Sequence, residues 1–258
     1  MARIEKDAPN AIELLLGDEA IARGALEAGI GVATSYPGTP ASEIIGTLGP
    51  VSKKMRIYTE WSVNEKVAIE AAAGASFAGI RALTAMKCNG LNAATDAVAL
   101  IAPGDTGKGG LVLVVADDPG GISTDNEQDT RNIARMVEIP LLEPSSPQEA
   151  KDMTKWLFDL SEEHRCICMM RAVTRICHAR GAVQLGELPK GKRVAYFDEV
   201  YDPYNPTLTN YNPNPATLRH IASLKRLENI RNRFESSSFN LYTGPDNAEL
   251  LIITCGTG

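Results

Sequence analysis

The feature that most constrains this chain is an alternation, across its first two-thirds, of short apolar runs with longer segments of helical spacing. Val32-Ala33-Thr34-Ser35-Tyr36, Met55 to Thr59, Ala82-Leu83-Thr84-Ala85-Met86 and Leu111-Val112-Leu113-Val114-Val115 read as strands. Between and after them come predicted helices from Gly17 to Ala28, Leu91 to Ile101, Glu127 to Met136 and Pro147 to Glu162. Another helix is predicted from Ser62 to about Ala78, where Val63, Val67, Ala71 and Gly74 share one stripe. Strands alternating with helices of this length predict an α/β fold, a parallel sheet covered by helices on both faces. Local signals refine the boundaries. Asp18 is a predicted N-cap and Gly29 a terminator, while Thr39 is placed to cap the next helix with Pro40 at its first position.

The pattern breaks after about Gly181. Asp202-Pro203-Tyr204-Asn205-Pro206 and Tyr211-Asn212-Pro213-Asn214-Pro215 are turn-forming. A helix follows from Pro215 to Glu235, with Leu218, Ile221, Leu224 and Leu227 at helical spacing. Ala248 to Cys255 then reads as a buried strand, and Gly256-Thr257-Gly258 as a turn. The expected organisation is a sheet domain over 1–182, a linker with one helix over 183–247, and the first strand of a second, cut-off α/β domain over 248–258.

Charge and composition exclude several classes. Lys and Arg number 26 against 32 Asp and Glu, a net charge of -6 with no basic run. Such a chain has no electrostatic reason to bind nucleic acid or an anionic membrane. No stretch approaches the ~20 apolar residues of a membrane span. The first residues, Met1 to Asp7, lack the apolar core of a signal peptide, so a cytoplasmic location is expected. Five cysteines at irregular intervals make a poor disulfide framework. Cys166 and Cys168 alternate within an apolar run, so they are expected to share one buried face as small hydrophobes rather than to bind a metal with Cys177 and His178.

Chemistry is expected at the carboxyl ends of the strands, where ligands of open parallel sheets gather. Four polar turns fall there: Tyr36 to Pro40, Thr59 to Glu65, Met86 to Gly90 and Asp117 to Gly121. Glu65 stands out. It lies in the first turn of a helix that is otherwise mostly alanine, glycine and valine, and these small residues suit close packing by another chain or subunit. A helix-terminus charge preference explains such a carboxylate equally well. Gly104 to Gly110 lacks the spacing and the context of a phosphate loop.

These motifs carry a resemblance. Tyr36-Pro37-Gly38-Thr39-Pro40-Ala41-Ser42-Glu43-Ile44, Glu60-Trp61-Ser62-Val63-Asn64-Glu65-Lys66-Val67-Ala68 and Ala116-Asp117-Asp118-Pro119-Gly120 occur in the order seen in 2-oxoacid:ferredoxin oxidoreductases. Asn126 to Asp129, Glu143 to Ala150 and the stretch from Arg171 to Arg180 continue it. The chain resembles most the branch that acts on indolepyruvate, along nearly its whole length.

The resemblance implies a thiamine diphosphate enzyme whose pyrimidine-binding domain is this one, with the cofactor shared with a second domain or subunit. In that family the glutamate at the position of Glu65 hydrogen-bonds N1′ of the aminopyrimidine, which helps the neighbouring amino group take the thiazolium C2 proton. Thr39, Arg131 and Cys88 are implied on the substrate side, and Pro37, Gly38 and Asn89 beside Glu65 on the cofactor side. The implied reaction is oxidative decarboxylation of an aryl 2-oxoacid to an acyl-coenzyme A, with electrons passed to ferredoxin. A beta subunit or a second copy of the chain is the implied partner. The Gly-Asp-Gly motif that holds magnesium and diphosphate, and the cysteine runs of iron–sulfur clusters, are missing from these residues, so both groups are expected outside the chain. Related enzymes carry Lys-His-Val-Gly where this sequence has Lys87-Cys88-Asn89-Gly90. That departure leaves open another 2-oxoacid, such as phenylglyoxylate or pyruvate, and a non-catalytic structural subunit.

Overall fold

The computed structural model describes residues 4–197 and 216–257. The turns expected at 202–206 and 211–215 lie outside the described residues. In chain order the elements are β1 (Ile12–Leu16), α1 (Gly17–Glu27), β2 (Val32–Ser35), α2 (Ser42–Met55), β3 (Tyr58–Trp61) and α3 (Glu65–Phe77). They continue with β4 (Ala82–Lys87), α4 (Cys88–Ile101), β5 (Leu111–Asp117), α5 (Arg131–Met136) and β6 (Leu141–Leu142). The last are α6 (Pro147–His164), β7 (Ile167–Val173), α7 (Thr174–Cys177), β8 (Arg180–Gln184) and α8 (Ala216–Glu235).

Six strands form one parallel sheet in the order β3-β2-β4-β5-β7-β6, so the expected α/β fold is the observed one. Alternation within β5 shows how both faces are covered. Val112, Val114 and Ala116 join one core with Ile21, Leu26, Ile44 and Phe158 of α1, α2 and α6. Leu111, Leu113 and Val115 join the other with Ile69, Leu91, Val98 and Ala134 of α3, α4 and α5. The pairs Ser35↔Ala85, Lys87↔Ala116 and Asp117↔Val173 bring the strand ends to one edge. Cys166 and Cys168 are buried with their sulfurs 3.8 Å apart, on one face as their spacing predicts.

Several expectations are corrected. Sequence periodicity missed β1, which pairs antiparallel with β8 in a separate two-stranded sheet. Asp18 is not the N-cap: α1 begins at Gly17 as expected, Leu16 is the cap, and Glu19 accepts its N–H. Thr39 does not cap α2, because Pro37 to Pro40 form a separate turn with a cis Thr39–Pro40 bond and the helix begins at Ser42. The stripe of Val63, Val67, Ala71 and Gly74 faces solvent, while Ala68, Ile69, Ala72, Ala73 and Ser76 face the core. Ala248 to Cys255 forms no strand here, since an extended segment needs a ladder partner and none pairs with it among the described residues.

Candidate active site

Two hydroxyls fix the turn after β2. Ser35 donates to the Ala85 carbonyl at 2.7 Å, and Ser42 accepts the Gly38 N–H at 2.8 Å. Gly38 is needed there, because a Cβ would lie 2.9 Å from Cγ of Lys87. The Pro37–Thr39 turn therefore rests on the aliphatic stem of Lys87, next to Cys88. Thr34 donates to the Ala68 carbonyl and ties β2 to the first turns of α3.

Asn64 is the true cap of α3 and accepts the Val67 N–H at 2.9 Å. Glu65 follows as the first helical residue and is half-buried. Its carboxyl group lies over the first turn of α4: a Cβ built at Gly90 would fall 2.5 Å from Glu65 Oε1. Gly90 thus makes the room that the carboxylate occupies. Glu60, three residues before the helix cap's neighbour Val63, is instead held by the hydroxyls of Tyr58 and Ser62.

Helix α4 opens at the edge with Cys88 and Asn89. Cys88 is 1% exposed and its thiol donates to Asn89 Oδ1 at 3.2 Å. Burial, and then the charge of Asp117, hold that thiol above its ordinary range, so it is a neutral, weak donor. Asn89 donates to Asn126 at 2.8 Å, and Asn92 exchanges two hydrogen bonds with Gln128. The loop after β5 is folded around Asp118. Burial pushes that carboxyl up, but donors from Thr174, Ser123 and Thr124 outweigh it and hold it ionised, below its usual range. Ser123 also reaches the Thr39 carbonyl at 3.4 Å, closing the edge.

The structure thus gathers Pro37, Gly38, Thr39, Glu65, Cys88 and Asn89 at one edge. Arg131 opens α5, beyond the loop that follows β5. It pairs with Asp129 at 2.8 Å and with Glu143 at 3.8 Å, inside a cluster where Arg171 bridges Asp117 and Glu143. Sequence reasoning passed over Lys87, which makes no hydrogen bond or ion pair among the described residues. Its signal was available, as a lone cation at a strand's carboxyl end. A cavity of about 340 Å³ beside Leu26, Arg56 and Lys192 lies at the opposite edge and takes no part.

Residues 23–234 match the family described as pyruvate flavodoxin/ferredoxin oxidoreductase, thiamine diP-bdg (thiamine diphosphate-binding). The chain belongs to this oxidoreductase family. It is 47% identical over 97% of its length to indolepyruvate oxidoreductase subunit IorA of Pyrococcus horikoshii, and covers 38% of that protein. The subunit of the same name from Archaeoglobus fulgidus is 43% identical over 98% of the chain, which covers 40% of it. The 2-oxoglutarate synthase subunit KorA of Methanocaldococcus jannaschii is 28% identical over 67% of the chain and is 49% covered. The chain therefore spans well under half the length of the indolepyruvate relatives. A solved 2-oxoglutarate:ferredoxin oxidoreductase from Magnetococcus marinus, with 2-oxoglutarate, coenzyme A and succinyl-CoA bound, shares the fold at TM-score 0.68 and 14% identity. That match covers 86% of this chain and 45% of the other.

Proposed function

We propose that this chain is the aminopyrimidine-binding part of an enzyme that oxidatively decarboxylates an aryl 2-oxoacid of the indolepyruvate kind, forming an acyl-coenzyme A and reducing ferredoxin. The observation that carries the reading is Glu65, a half-buried carboxylate on the first turn of α3, set over the bare backbone of Gly90 at the sheet's carboxyl edge. A carboxylate so placed suits a ring nitrogen that must be held protonated, and the donor set at this edge fits the pyrimidine end of thiamine diphosphate. When bound, that cofactor supplies a nucleophilic carbon and an electron-accepting ring for decarboxylation. Magnesium, the diphosphate and iron–sulfur clusters are assigned to another part of the enzyme.

The roles within this chain follow from placement. Glu65 holds the proton at the pyrimidine nitrogen. Pro37, Gly38 and Asn89 shape the wall on either side, and the Thr39 hydroxyl is a donor toward substrate. Cys88, smaller than a histidine and buried, leaves room for an aryl group. For the substrate carboxylate, Arg131 and Lys87 compete. Lys87 is the better placed, since it lies under the Pro37–Thr39 turn, whereas the guanidinium of Arg131 is engaged through Nε by Asp129 and Glu143. The exposed stripe of Val63, Val67, Ala71 and Gly74 supports a beta subunit or second copy packing over α3. These are the small side chains that allow close backbone approach.

The test uses the complete enzyme. Glu65→Gln should melt normally and lose on the order of 10²–10⁴ in turnover, the loss expected when a proton-handling group is removed. Glu60→Gln, at the end of β3 just before that helix, should do much less. Wild-type turnover in Glu65→Gln would overturn the catalytic reading and leave the structural subunit. Lys87→Met should raise KM for the 2-oxoacid at least tenfold, and Arg131→Lys should change it less.

A further inference from the structure

Helix α1 enters the fold with a buried carboxyl group that no cation among the described residues pairs with. A Cβ at Gly17 would lie 2.0 Å from the Ile176 carbonyl oxygen, so glycine alone permits this approach, and its N–H donates to the Ala179 carbonyl at 3.0 Å. That contact carries Asp18 against the end of α7. Asp18 is 0% exposed, and neither of its carboxylate oxygens has a hydrogen-bond partner. Burial, and after it the carboxyls of Glu43 and Glu19, push the Asp18 carboxyl well above its ordinary range, and the neighbouring Cys177 thiol only partly offsets them. Glu43, on the first turn of α2, contributes a third buried oxygen without a hydrogen-bond partner. His178 Nε2 stands 3.7 Å from it. One donor atom each from Asp18, Glu43 and His178 lie within 4.8 Å of one another.

We propose that Asp18, Glu43 and His178 form a site for one divalent transition-metal cation of the zinc class, with a further position open to solvent. Two carboxylates and an imidazole are a zinc-type donor set, and their charge matches a dication. Bonds of about 2.0–2.2 Å in a tetrahedral site place donors about 3.4 Å apart. Turning Glu43 and His178, whose side chains are 43% and 38% exposed, closes the observed spacing. Their exposure is also the entry path. Magnesium and calcium prefer all-oxygen shells, protein carboxylates completed by water, so the imidazole nitrogen of His178 favours a zinc-class ion over them. Unpaired burial of Asp18 is otherwise a cost without return. The site would join three segments distant in sequence, the starts of α1 and α2 and the end of α7.

The test is calorimetric titration of the chelator-treated 258-residue chain with Zn²⁺, and separately with Mg²⁺. One equivalent of zinc should bind, with a rise in melting temperature. Asp18→Asn, Glu43→Gln and His178→Gln should each weaken it at least tenfold, and Cys255→Ser, which removes the exposed thiol, should leave it unchanged. Glu43 and His178 are partly exposed, so their variants keep the test decisive even if the buried change disturbs folding. No saturable uptake of zinc, equal binding by Glu43→Gln and His178→Gln, or tighter binding of magnesium would each overturn the proposal.

Discussion

Helix α1 buries two sets of charges within ten residues, and they are treated in opposite ways. Two turns beyond Asp18, Arg23 and Glu27 pair at 2.7 Å with both side chains wholly buried. The Arg23 guanidinium also donates to the carbonyls of Ile4, Lys6 and Gly186. Glu27 accepts the Gly186 N–H and meets Lys151 and Lys155. Every polar atom of this pair has work within the chain, and the pair pins the first described residues and the strand end at Gly186 to α1. Asp18, on the same helix, has no such partners. Buried charge that is satisfied serves the fold, whereas buried charge left open marks a position kept for something the chain does not itself supply.

The largest expected effect is on the satisfied set. Arg23→Ala leaves Glu27 buried beside three orphaned carbonyls and should cost about 3–5 kcal/mol in urea unfolding. A cost below ~1 kcal/mol would break the comparison. Next comes acid. Burial raises the Glu27 carboxyl, but Arg23, the Gly186 amide and Lys151 outweigh it, and its net shift is downward. Its stabilising share is therefore complete above the unfolded value, about 4.3, and is lost as pH falls through the lower folded value. Calorimetry of Glu27→Gln should show a lower melting temperature at pH 7 and a flatter fall below pH 4. Asp18→Asn should run the other way. With zinc removed it should raise stability at pH 7 by about 1 kcal/mol, because burial holds the Asp18 carboxyl well above its ordinary range and the folded chain must take up a proton there that a neutral amide does not need. The smallest change is expected at Lys66, whose pair with Asp96 is exposed: Lys66→Ala should leave the melting temperature where it was.

How much of this was legible depends on how local the signal is. The order of strands and helices, and the edge where the polar turns meet, follow from apolar runs and turn residues close together in sequence. Glu65 at the head of α3 was legible for the same reason. The facing of α3 was not. From Val67 to Ala75 that helix is small or apolar at every position but Glu70, so Val67 and Ala71 repeat with the same period as Ala68 and Ala72, and spacing cannot say which stripe is inward. Strand β1 hides because only Leu15 of its five residues is fully buried. Arg131 pairs with Asp129 close by and with Glu143 farther along the chain, and the Asp18 cluster joins residues more than 150 positions apart. Such groupings are properties of the packed sheet, and no local pattern announces them.

One feature of the described chain bears on how it behaves in a tube. Leu250, Leu251, Ile252 and Ile253 are exposed by 76%, 64%, 78% and 86%, in a run with neither charge nor proline. Unpaired aliphatic segments of this kind are adhesive toward their own copies, through backbone pairing and dry side-chain contact between molecules. A solution of this chain is in that sense a colloid whose particles carry an adhesive patch at these residues. Its light scattering should climb with concentration well below the temperature at which the sheet melts. Storage concentration, rather than thermal stability, then sets the practical limit on handling it.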